Sequence, residues 1–278
     1  MSISPRYEGV PIISIPGSPR DQLDPLTRQR RRLEGVLEDL QPQDWRTQSR
    51  CTGWSVQDVV AHLAGVNTFW TASVRAGLAG RPTRVLANFD PVATPEQMVA
   101  PTRDLVPQAV LAQFVSSNRE LMDALGELDD EGWAAIAETP PGHLPIRLLA
   151  SHALWDSWVH ERDIVLPLGR VQPRHPDEVR ASLGYVCALA AALVVLTGSA
   201  PARSLGVVAE DPVVRLVLRL SEGVEVHDVA PPPGAPVLRG DAVALIEALS
   251  TRAAFPAGVP EGWAPVIEGF AAVFASQR

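Results

Sequence analysis

Cysteine is nearly absent. Cys51 and Cys187 are far apart, no CxxC pair occurs, and a disulfide framework is thereby excluded. A reducing, cytoplasmic compartment fits this usage. Cys51 precedes a helix start, where a thiolate is favoured, but the simpler reading is a small packed residue. Excess positive charge is also lacking, with 24 Lys+Arg against 32 Asp+Glu and a net charge of −8. The one basic cluster, Arg28-Gln-Arg-Arg-Arg32, reads as a solvated helix face, so nucleic acid is not an expected partner. Met1–Pro19 lacks the basic-then-apolar order of a signal peptide, and none is expected. Long hydrophobic runs reduce to Leu183–Leu196, with Gly184 and Gly198 at its ends. That is shorter than the roughly 20 residues a bilayer span needs and reads as a buried helix, so no membrane partner is expected. There is no internal repeat, and no biased tract beyond the prolines of Pro231–Pro236.

What is present is a globular balance, 46% hydrophobic and 20% charged, over a length that suits one large or two ordinary domains. Residues 1–20 read as an irregular leader lying over the surface. Asp24-Pro25 reads as an N-cap and first helical residue. The helix it opens runs to about Leu40, with Leu26, Leu33, Val36 and Leu37 inward. A second helix spans about Val56 to Leu78. A long connection over Thr83–Thr94 follows, then a helix start at Thr94-Pro95-Glu96. A third long helix runs from Gln108 to Leu128, and a fourth from about Pro145 to Leu166. Asp129–Gly132 reads as a turn and Pro140-Pro141-Gly142 as a breaker. Four helices with a crossing loop predict a four-helix bundle over residues 21–170. From 171 to 278 the pattern becomes a small α+β domain. It has an apolar helix opened by Pro176, strands at Leu205–Ala209, Val213–Leu220 and Val224–Val229, a helix over Asp241–Arg252, and a last helix over Gly262–Gln277. The fold class is α+β.

The densest chemistry lies in Ala150–Asp163. His152, Asp156 and His160 stand four apart, which on a helix confines them to a face of about 80°. Leu154, Trp155, Trp158, Val159 and Ile164 make the rest of that helix apolar. Buried imidazoles and carboxylates need a partner or a metal. A carboxylate and a histidine at i and i+4 can share one divalent ion, with a third ligand from another helix. His62 is the candidate, on a helix opened by Ser55 and Asp58 in a capping-box pattern. Glu161 and Arg162 read as a solvated pair. Trp54, Trp70, Trp155 and Trp158 read as core, with a pocket wall as the alternative.

Cys51-Thr-Gly-Trp-Ser-Val-Gln-Asp-Val-Val-Ala-His62-Leu, followed by Asp156-Ser-Trp-Val-His160-Glu-Arg-Asp163, resembles the mycothiol-dependent maleylpyruvate isomerase family. The resemblance covers about residues 24–275. It implies a DinB-like four-helix bundle holding a divalent metal, typically zinc, and a sterol-carrier-like C-terminal domain. Carried over by position, the ligands are His62, Asp156 and His160, with Asp156 standing where the family usually has Glu. His152 is an alternative ligand, and Asp163 is expected to orient a ligand rather than bind. The implied partners are a small-molecule substrate and mycothiol or another small thiol. A thiolate held by the metal would attack an electrophile. Reversible addition, rotation and elimination give cis–trans isomerisation, and irreversible addition gives S-transfer. Arg252 is the candidate for an anionic substrate group. The rivals are a non-catalytic binding protein of the same fold and a metal-dependent hydrolase. The oligomeric state is left at monomer or homodimer.

Overall fold

The first helix starts earlier than its proline suggests. In the computed structural model, which describes residues 4–198, 203–255 and 257–275, α1 spans Arg20–Glu38. The Asp21 carboxylate accepts from the Ser18 amide at 2.7 Å and fixes the first turn, so Pro25 falls inside the helix. Leu26, Leu33 and Leu37 point inward as expected. Arg30 does too, and Arg32 is held in a buried ion-pair network, so Arg28–Arg32 is not a simple solvated face.

The Ser55–Asp58 capping box forms reciprocally and opens α2, Val56–Leu78. Helix α3, Ala93–Val99, and short turns at Val85–Asn88 and Ala100–Thr102 occupy the long connection. Helix α4 spans Pro107–Gly126, and Asp129 caps the short α5, Asp130–Ala134. Preceding α1, β1 is Ile13–Ser14. The expected breaker at Pro140-Pro141-Gly142 is the tip of a hairpin between β2, Ile136–Thr139, and β3, Gly142–Pro145. Gly142 takes φ 125°, and a Cβ there would sit 2.0 Å from the Arg6 carbonyl oxygen, so only glycine fits. Helix α6, Ile146–Val165, completes a bundle in which α2 packs on α4 and α6, and α1 on α6 and α4.

Helix α7, Pro176–Val195, is long and apolar enough to cross a membrane by length and composition, but 78% of that window is buried inside the protein. One side packs on α6 and α1, the other on the C-terminal elements. Strands β4 (Arg203–Glu210), β5 (Val214–Leu220) and β6 (Val224–His227) form an antiparallel meander. β7, Val237–Asp241, joins β4 in parallel and β1 joins β6 in parallel, giving the order β1-β6-β5-β4-β7. The first twenty residues are therefore not all surface: Ile12 and Ile13 are buried in the C-terminal core. Asp241 caps α8, Ala242–Leu249. The expected last helix is broken into α9, Ala264–Ile267, and α10, Gly269–Ala275, with Gln277 outside the described residues. At Gly269 a Cβ would lie 2.3 Å from the Ala190 carbonyl oxygen, so the break lets α10 press against α7.

Candidate metal centre

His62 comes from the second turn of α2, while Asp156 and His160 are one turn apart on α6. One donor atom from each lies within 4.8 Å of the others. The rings of His62 and His160 meet edge to face at 5.0 Å, and His160 Nε2 is 3.6 Å from Asp156 Oδ1. Two polar atoms in this group are buried with no hydrogen-bond partner, His62 Nδ1 and Asp156 Oδ2. Buried polar groups are rarely left so. Two imidazoles, a carboxylate and two unsatisfied buried atoms in one cluster are a donor set that fits a divalent cation.

The other edge of His160 is saturated. Its Nδ1 lies 3.0 Å from Asp163 Oδ2, and Asp163 also accepts from Arg252 Nε and Nη2 at 3.0 and 2.8 Å. Cys51 Sγ stands 3.2 Å from Asp163 Oδ2, 3.4 Å from Arg252 Nη2 and 3.7 Å from His160 Nδ1. Cys51 packs against the apolar core of the bundle, as expected, and its Sγ also joins this polar cluster. Arg252 reaches it from just beyond α8, so this cluster ties the C-terminal half to the bundle. The amide of Arg50 donating to the Asp163 carbonyl at 3.1 Å brings the Cys51 loop in. Glu161 and Arg162 are no solvated pair. Glu161 is buried and accepts from Arg32, Gln29 and Gln172, while Arg162 pairs with Glu247 and lies over Trp158. Their partners are remote in sequence, which is why local spacing misled.

The electrostatics differ between the two imidazoles. Burial, then the neighbouring His160, pushes His62 down to about 4 against the pull of Asp156. Burial works against the His160 cation as well, but Asp156 and the Asp163 hydrogen bond outweigh it and raise His160 to about 10. Burial would raise Asp156, yet His160 and His62 hold it below the usual carboxylate range. Asp163 is held far lower, its burial outweighed by hydrogen bonds from His160 and Arg252.

His152 lies one turn before Asp156, outside this donor group. Its Nδ1 is 2.8 Å from the Tyr185 hydroxyl of α7, and Trp70, Trp155 and Tyr185 present ring edges or faces around it. Trp70, Trp155 and Trp158 are core. Trp54 is part-buried and packs against the apolar core of the bundle; its ring is 5.3 Å from that of His62, and its Nε1 donates to Glu96 of α3 at 3.0 Å. Sequence reasoning passed over Tyr185 and Glu96. The only signal for either was a polar atom in an otherwise unremarkable helix.

A family model described as the mycothiol maleylpyruvate isomerase N-terminal domain matches residues 26–165. No curated protein matches. Two solved structures share the fold. A mycothiol-dependent maleylpyruvate isomerase covers 87% of this chain and 92% of its own at 17% identity and a TM-score of 0.62. A histidine-to-alanine mutant of a mycothiol-dependent maleylpyruvate isomerase covers 88% and 96% at 15% identity and a TM-score of 0.63. The matched segment contains His62, Asp156 and His160 and runs from within α1 to the end of α6, and the chain belongs to the mycothiol maleylpyruvate isomerase family.

Proposed function

We propose that the protein is an enzyme that holds one divalent cation, most simply zinc, on His62, Asp156 and His160. With mycothiol or a similar small thiol, it isomerises a small electrophile or transfers sulfur to it. The observation that carries this reading is the convergence of those three donors with His62 Nδ1 and Asp156 Oδ2 buried and unpartnered. When bound, the ion would keep the thiol of the co-substrate as its thiolate at neutral pH. Asp163 grips the far nitrogen of His160 and so fixes which edge of the ring faces the cation site. Trp54, tethered by Glu96, covers His62 and keeps water from that side. Arg252, whose guanidinium already donates to Asp163, Cys51 and the Ser250 carbonyl, would meet an anionic substrate group only with its remaining N–H. Asp156, one methylene shorter than glutamate, would reach a bound ion either with α6 set closer or through an intervening water. The paired, cysteine-poor chemistry suits a reducing, cytoplasmic setting; both cysteines are free.

The test is turnover of a cis-configured activated alkene, such as maleylpyruvate, with and without mycothiol or a small thiol surrogate, and with and without chelator. Isomerisation that needs both thiol and metal is the expected result. Metal-dependent hydrolysis of the substrate that ignores thiol would make the protein a hydrolase, and binding without turnover would leave a binding protein.

A further inference from the structure

Asp156 has a histidine one turn to either side of it on α6, and the cation site uses only His160. The other, His152, is 6% exposed, and Tyr185 of α7, 1% exposed, meets its Nδ1 at 2.8 Å. The seam between α2 and α6 pairs rings at two levels. His62 meets His160 at 5.0 Å and, further along, Trp70 meets His152 at 5.0 Å. His152 therefore adjoins the cation group along one helix face without being a member of it. A charge on its ring would act on both His62 and Asp156.

The direction of the Tyr185–His152 bond follows from burial. The phenol has a single proton and, among the described residues, a single hydrogen-bond partner. Burial pushes its pKa far above the usual range, so that proton stays on. Burial also pushes His152 down to about 4, which leaves the imidazole neutral. If Nδ1 carried the imidazole proton and donated, the phenolic O–H would be buried with no acceptor, a costly arrangement. The hydroxyl therefore donates to Nδ1, and the imidazole proton sits on Nε2. Nothing among the described residues accepts from Nε2, and this edge of the ring is not sealed as His62 Nδ1 is. Beside it Trp70 Nε1 is buried, again without an acceptor, whereas Trp155 Nε1 is taken by Ser250 Oγ at 3.0 Å. One turn along, the Asp156 side chain keeps 16% of its surface accessible. Two N–H donors without an acceptor at one level of the seam call for an oxygen from elsewhere.

On the thiol-addition reading of the cation site, we propose that His152 is a further catalytic residue whose Nε2–H binds the carbonyl oxygen conjugated to the substrate's alkene, and that Tyr185 is the positioning residue that fixes this tautomer. As the thiolate forms its bond to one alkene carbon, the π pair shifts and negative charge collects on that oxygen as an enolate. His152 donates a hydrogen bond to the enolate and keeps its proton, as a neutral imidazole can. The former double bond is now single and rotates. The electron pair then returns, the C–S bond breaks, and the thiolate leaves with the alkene in its trans form. No proton or electron is gained or lost over the cycle.

The test joins NMR of the chelated full chain, with isotope-labelled histidine, to kinetics of the zinc-loaded enzyme. Near neutral pH the His152 proton is expected on Nε2, and its signal should shift saturably with pyruvate but not with propionate, which lacks the oxo group. A proton on Nδ1, or a signal indifferent to pyruvate, would overturn the proposal. With maleylpyruvate and thiol, His152→Leu should lower kcat about 10²-fold while zinc content and KM stay close to wild type. His152→Gln, which keeps an N–H, should recover part of that loss. Leucine strands the buried Tyr185 hydroxyl, so His152→Leu combined with Tyr185→Phe removes both partners and should fold while remaining as slow. A kcat close to wild type in that double variant, or a Gln variant no faster than Leu, would also overturn the proposal. A wild type that turns over nothing would count against the thiol-addition reading alone, and the NMR result then decides for His152.

Discussion

One imidazole separates two unlike regions. On the Nε2 side of His160 stand His62 and Asp156, close together and each with a buried polar atom left over. On the Nδ1 side, Asp163, Arg252 and Cys51 share hydrogen bonds until Asp163 is surrounded. Both regions are buried, and both join charges across remote segments. The difference is satisfaction: the first set has valence to spare, and the second has used its own on itself. Spare valence in a protein interior marks where something else belongs, whereas a closed network marks what holds the site in position.

If this contrast is right, substitutions on the two sides should fail in different ways. The largest effect is expected for His62→Ala and Asp156→Ala. Each should lower thiol-dependent turnover by about 10³-fold, equivalent to several kcal/mol of lost transition-state stabilisation, while the chelated proteins stay folded. A fall of less than tenfold in steady-state assays would break the comparison. Asp163→Asn should act on stability instead. It strands Arg252 and His160 and should cost about 3–5 kcal/mol in urea unfolding of chelated protein, whereas Asp156→Asn should cost clearly less. Equal losses would mean that the two sides do not differ.

The paired histidines sharpen the contrast through pH. His62 and His152 are both lowered to about 4 in the fold, His152 chiefly by burial. The unfolded chain then takes up their protons first, so stability is present above about 6.5 and lost as pH falls toward 4. His160 is raised to about 10, so its contribution is full below about 6.5 and lost as pH rises toward 10. Chelated protein should be most stable near pH 6.5 and lose on the order of several kcal/mol on each side, more on the acid side, where two imidazoles titrate, as read by denaturant midpoints. A flat profile from pH 4 to 10 would contradict the opposed shifts. The smallest effect is expected from Tyr185→Phe, which removes the hydroxyl on His152 Nδ1. It should cost about 1 kcal/mol and leave metal stoichiometry unchanged. Loss of metal in that variant would place His152 among the ligands.

The sequence was most legible where regular spacing decides geometry. Four-residue steps on α6 put Asp156 and His160 on one face, and the Ser55–Asp58 pattern marked the start of the helix carrying His62. Features made by tertiary contact were not readable. Glu161 looked like a surface charge because its partners Arg32 and Gln29 are about 130 positions away. Cys51 joins Asp163 only because its loop bonds to the end of α6 and Arg252 arrives from beyond α8. The strand at Ile13–Ser14 is two residues long and pairs with Val224 and Glu225, leaving too little pattern to read. Arg30 sat in a basic run that reads as a solvated face, and only the packing of α4 and α6 against α1 reveals that it is inside.

The central claim is that His62, Asp156 and His160 form one cation site. Elemental mass spectrometry of protein purified without chelator, alongside His62→Ala and Asp156→Ala, tests it most directly. The account predicts close to one divalent ion per chain in the wild type and loss of that ion in both variants. A wild-type protein that stays empty after zinc is added, or variants that keep a full complement, would contradict it.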